Sequence, residues 1–101
     1  MIVATAAELA IVRAILSEFV PGANVWAYGS RVTGRQRPHS DLDLALLAPE
    51  PLELATLARL EDAFAESNLP YRVDVIDWER IGEAFRDLSR RSHEPLQAPS
   101  P

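Results

Sequence analysis

The chain has 101 residues, 48% of them hydrophobic, and a formal charge of −5 at pH 7. That length holds one compact core with no room for a second substrate-holding domain, and the acidic balance argues against direct binding of extended nucleic acid, which demands a basic surface. Cys is absent and all ten basic residues are Arg, which excludes disulfides, thiolate nucleophiles, a Walker lysine and a Schiff-base lysine, while two His are too few for a His-based metal cluster.

Thr5 and Glu8 form a Thr-x-x-Glu capping box, and Leu9, Val12, Leu16 and Phe19 recur at helical spacing up to a Pro21-Gly22 stop, which predicts a core-facing helix. A buried strand at 24–28 follows. It ends at Gly29, where backbone can approach a ligand closely because there is no Cβ, and Ser30 opens a short helix whose first N–H groups suit an anion. Residues 29–35 thus read as a phosphate-holding turn, with a loop through Pro38. A second strand is expected over 41–47. Its alternation puts Asp41 and Asp43 on one face and Leu42, Leu44 and Leu46 on the other, so that two carboxylates share one metal site. Oxygen donors of this kind suit Mg²⁺ or Mn²⁺.

Pro49 and Pro51 lead into a helix expected over 52–66, with Leu54, Leu57, Leu60 and Phe64 on its buried stripe. A third strand spans 71–76. Asp77 can cap a last helix over 78–89 that buries Ile81, Phe85 and Leu88. The domain is thus expected to cover 1–92, with a flexible Pro-rich tail over 93–101. The order is α-β-α-β-α-β-α, an α/β (α+β) domain with a small mixed sheet flanked by helices. The first residues do not read as a signal peptide and no apolar stretch nears membrane-spanning length, so a cytoplasmic protein without membrane contact is expected.

The run Gly29-Ser30, a spacer of Arg31 through Ser40, and Asp41-Leu42-Asp43-Leu44 resembles the signature of the polymerase-β-like nucleotidyltransferase superfamily. In its form Gly29-Ser30-x-x-x-Gly34 it is similar to the minimal nucleotidyltransferase branch. The resemblance covers nearly the whole chain and implies the polymerase-β-like fold. It also implies a third carboxylate on a later strand, for which Asp74 is the candidate and Asp77 the rival. Arg72, on the Asp74 face, could instead make Asp74 a plain ion pair. A phosphatase of the haloacid-dehalogenase kind also uses Asp-x-Asp, but there a hydrophobic strand precedes the first Asp, whereas here Arg37-Pro38-His39-Ser40 does.

By that resemblance the chain is a Mg²⁺-dependent enzyme that moves AMP from ATP to a hydroxyl. Asp41, Asp43 and Asp74 would be the catalytic, metal-binding carboxylates, serving two ions. Gly29, Ser30 and Arg31 would bind the nucleotide, with Arg31 preferred over Arg35 and Arg37 because it directly follows Ser30. His39 is read as a loop residue, and Trp26 and Trp78 as packing residues. Stand-alone domains of this branch act as antitoxins paired with a HEPN-domain ribonuclease toxin, so the implied acceptor is a tyrosine of that partner. The alternatives are an inert module that neutralises a partner by contact alone, and transfer to a small-molecule hydroxyl.

Overall fold

The computed structural model describes residues 2–49 and 51–99, the side chains of Leu88 and Ser89 excepted. Helix α1, Ala6–Phe19, starts at the expected capping box. Thr5 Oγ1 accepts from the Glu8 N–H at 3.1 Å, and Glu8 Oε1 accepts from the Thr5 N–H at 3.0 Å. Val12 and Leu16 on its inner side are fully buried. Strand β1, Asn24–Tyr28, the four-residue helix α2, Ser30–Thr33, and strand β2, Leu42–Leu47, follow in order. Helix α3, Leu54–Ala65, crosses over to β3, Val73–Asp77, and helix α4, Glu83–Arg91, precedes β4, His93–Gln97.

The four strands form one mixed sheet in the order β3-β2-β1-β4. β1 is antiparallel to both its neighbours, whereas β2 and β3 run parallel, as the intervening helix requires. Val25, Ala27, Leu42, Leu44, Leu46, Val73 and Val75 share one face and form a core with Val12, Leu16, Leu60 and Phe64 of α1 and α3. The opposite face carries Asp74, Asp43, Tyr28 and His93 in one row across the sheet, since these residues are mutual register partners. Burial of the apolar face therefore fixes which side the polar row occupies.

Three expectations are corrected. Residues 93–97, expected within a tail, are strand β4: β1 has a free edge once β2 takes the other, and Pro95 is tolerated because β4 is itself an edge strand. The Gln97 amide adds to this by donating to Val20 O at 2.9 Å and Ala23 O at 3.0 Å. The helix expected over 78–89 is split into a single 3₁₀ turn, Trp78–Arg80, and α4. Ile81 is extended at φ −104°, ψ 157°, where a β-branched residue beside Gly82 continues a helix poorly. Leu54 begins α3 with its side chain 68% exposed, and Phe85 is 39% exposed, so neither belongs to the core. The expected burial of Leu88 falls outside the described residues. Among the described residues no helix is long and apolar enough to cross a membrane.

Candidate active site

Gly29 holds φ +80° and ψ −157°, a conformation that L side chains rarely adopt. Its special place has a second cause. A Cβ there would overlap the Asp43 carboxylate, so the turn and the carboxylate touch and only Gly lets them do so. α2 then rises directly from the end of β1, and Gly34, in the left-handed region at φ +81°, closes it with its N–H on Ser30 O at 3.0 Å. The N–H groups of Ser30 and Arg31, first in that helix, have no intrahelical acceptor.

Asp43 lies at the centre of the polar row, between Tyr28 on β1 and Asp74 on β3. Burial, then the charges of Asp74 and Asp41, push its carboxyl up to about 6. The Tyr28 hydroxyl is pushed up as well, chiefly by burial and then by Asp43 and Asp74. These couplings place Asp41, Asp43, Asp74 and Tyr28 in one electrostatic neighbourhood. Among the described residues no Arg is in ion-pair contact with any of the three carboxylates, Arg72 included; the arginines in ion pairs are Arg80, Arg86 and Arg90. The donors are all oxygens carrying unmatched charge, a set whose chemistry fits a hard divalent cation. Asp41 stands exposed just before β2, and among the described residues no three acidic or imidazole side chains are gathered at the spacing of a metal cage.

Asp77 lies apart from this row. It is buried and spent: its Oδ1 accepts from the Glu79 N–H at 3.1 Å, and its Oδ2 accepts from the Leu52 N–H at 3.0 Å and meets Arg80 Nε at 3.1 Å. Strand parity also turns it to the core side, away from Asp74. Arg31 is held by the fold itself. Its side chain is 5% exposed, donates to the carbonyls of Ser40, Val3 and Pro38 at 2.9, 3.0 and 3.2 Å, and stacks 3.7 Å over the Tyr71 ring. Adjacent residues on a helix point about 100° apart, so following Ser30 does not put Arg31 in the same site. From there it braces the loop that delivers Asp41. Arg35, Arg37 and His39 lie exposed in that loop.

Tyr28 was readable from alternation, because it sits two residues after Trp26 on the face opposite Val25 and Ala27. His93 was not, since β4 was not expected. Trp26 stacks on His93 at 3.9 Å and meets Trp78 edge-on at 5.3 Å, so the tryptophans pack against neighbours as anticipated. Phe85 of α4 meets Tyr28 edge-on at 5.7 Å and borders the row.

This arrangement coincides with a family model. Residues 9–97 match the model of the nucleotidyltransferase domain. The chain belongs to the nucleotidyltransferase domain family. The match runs to the end of β4, so the nucleotidyltransferase domain includes the strand that the composition concealed. Over 90 residues the chain is 49% identical to a Haemophilus influenzae protein named "Probable protein adenylyltransferase MntA", covering 89% of this chain and 79% of that one. The fold is shared with a toxin–antitoxin crystal structure containing AMP-PNP, at TM-score 0.77 and 23% identity over 89% of this chain and 73% of that chain. It is shared too with the structure of a tri-AMPylated Shewanella oneidensis HEPN toxin in complex with an MNT antitoxin, at TM-score 0.71 and 19% identity over 91% of this chain and 71% of that chain.

Proposed function

We propose that this nucleotidyltransferase is a protein adenylyltransferase that moves AMP from ATP to a tyrosine hydroxyl of a HEPN-domain ribonuclease toxin, and so acts as its antitoxin. The observation that carries this reading is the contact of Asp43 with the Gly29 turn on one side and its register pairing with Asp74 on the other, which supports joint use of the turn and the acidic row. The 49% identity to a protein named an adenylyltransferase supports the reaction, and the toxin–antitoxin folds support the partner.

Gly29 backbone and Ser30 would hold the triphosphate tail, while Asp41, Asp43 and Asp74 would hold Mg²⁺. The chemistry that such an ion would supply is a lower pKa for the attacking hydroxyl and stabilised charge on the departing pyrophosphate. The acceptor oxygen bonds to the α-phosphorus as the bond from that phosphorus to the bridging oxygen breaks. Pyrophosphate leaves with the electron pair, and the hydroxyl proton passes to water. No side-chain nucleophile is required.

A contact-only antitoxin is the second reading, favoured by the separation of the carboxylates. Mixing the chain with a HEPN-domain ribonuclease, ATP and Mg²⁺ distinguishes the two by intact mass and RNA cleavage. The partner is expected to gain one or more AMP groups and lose ribonuclease activity. Asp43→Asn should lower transfer by at least about 100-fold, the size of loss when one preorganised electrostatic group is removed. Full neutralisation by an Asp41→Asn/Asp43→Asn double variant, with no mass gained from the wild type, would establish the contact-only reading.

A further inference from the structure

β3 is an edge strand. Arg72 O accepts from the Leu42 N–H at 2.9 Å, so the backbone groups of residue 72 face β2. Direction alternates along a strand, which turns the N–H and C=O of Val73 and Val75 outward to the open edge. Neither residue has another backbone partner among the described residues. Beside this edge lies a cleft of about 510 Å³ between the second half of α3 and β3, which reaches Asp74. Its floor includes Phe64 and Tyr71, both on the core side of the sheet, and its rim carries the exposed Glu61 and Asp62 of α3. Three carboxylates against Arg72 leave the cleft acidic.

Resting on the proposed transfer reaction, we infer that the acceptor enters as an extended, basic tyrosine-bearing segment that adds to β3 as a fifth strand. A residue opposite Asp74 on such a strand has its side chain on the same face as Asp74 and Asp43, one strand spacing of about 4.8 Å away. The register itself brings the hydroxyl to the carboxylates. Residues at i±1 then point the other way, onto Phe64 and Tyr71, and so should be apolar. Residues at i±3 share that side, where Glu61 and Asp62 favour Arg or Lys. The Gly29 turn lies on the far side of Asp43, so nucleotide and acceptor approach that carboxylate from opposite sides.

The probe is the peptide acetyl-Arg-Gly-Val-Tyr-Val-Gly-Arg-amide against its counterpart with Glu at both ends, each with ATP and Mg²⁺. The basic peptide should be modified with kcat/KM about tenfold or more above the acidic one, the difference lying in KM. Glu61→Arg/Asp62→Arg should reverse the preference and leave ATP affinity unchanged. With AMP-PNP present, the basic peptide should slow hydrogen exchange at the Val73 and Val75 amides. Equal kcat/KM for the peptides, a preference untouched by the variant, or unslowed exchange would each overturn the strand-addition path. If the intact partner gains AMP while neither peptide does, this path is wrong and the adenylyltransferase reading stands. If neither protein nor peptide gains AMP, both fall.

Discussion

Asp43 is held in a place that suits it poorly when it is charged. Its carboxyl is pushed from the ordinary 3.8 up to about 6 by burial and by Asp74 and Asp41, so the folded, metal-free chain takes up a proton that the unfolded chain does not. The stabilisation from that proton is fully present below the unfolded value of 3.8 and is lost as pH rises through about 6. Relative to Asp43→Asn, the wild type in EDTA should therefore lose thermal stability between about pH 4 and pH 7; a difference in Tm that stays flat over this range would refute the assignment. Arg31 offers the opposite case, a charge well provided for by three carbonyls and a ring. Arg31→Met should cost at least about 2 kcal/mol by urea unfolding, because it strands buried acceptors. A variant of unchanged stability but weaker ATP binding would return Arg31 to the phosphate site. At this scale alternation made Asp43 and Asp74 legible, whereas whether Arg31 turned toward solvent or protein depended on carbonyls at positions 3, 38 and 40.

Elements with a strong internal signal lie where periodicity and capping put them. α1 begins at its Thr5–Glu8 box, and β2 buries 42, 44 and 46 on the expected face, with Ala45 buried on the other. β4 had no such signal: five residues including Pro95, with only Leu96 buried, read as tail until β1 supplies an edge. Its pairing covers the flank of β1 opposite β2, and Gln97 fastens the turn at Val20 and Ala23. Deleting residues 93–101 should therefore lower Tm and promote self-association through the uncovered β1 edge, read by thermal melting and light scattering. A truncated chain that stays monomeric with an unchanged Tm would mean that the strand adds nothing to stability.

On the scale of the whole molecule, the two faces of the sheet divide the labour. Helices α1 and α3 seal one face, and the acidic row crosses the other beside the 3₁₀ turn and Phe85. The long-range pairing of β1 with β4 also bears on synthesis. Gln97 meets Val20 across 77 positions, so β1 leaves the ribosome with one flank bare and is completed only after residues 93–97 emerge. At about 5–20 residues per second, that interval lasts several seconds. During it the nascent chain presents an unpaired strand to anything nearby, and high contact order slows closure further. A newly made chain thus carries β1 half-paired until residues 93–97 follow it, for a time set by the rate of elongation across α3 and α4.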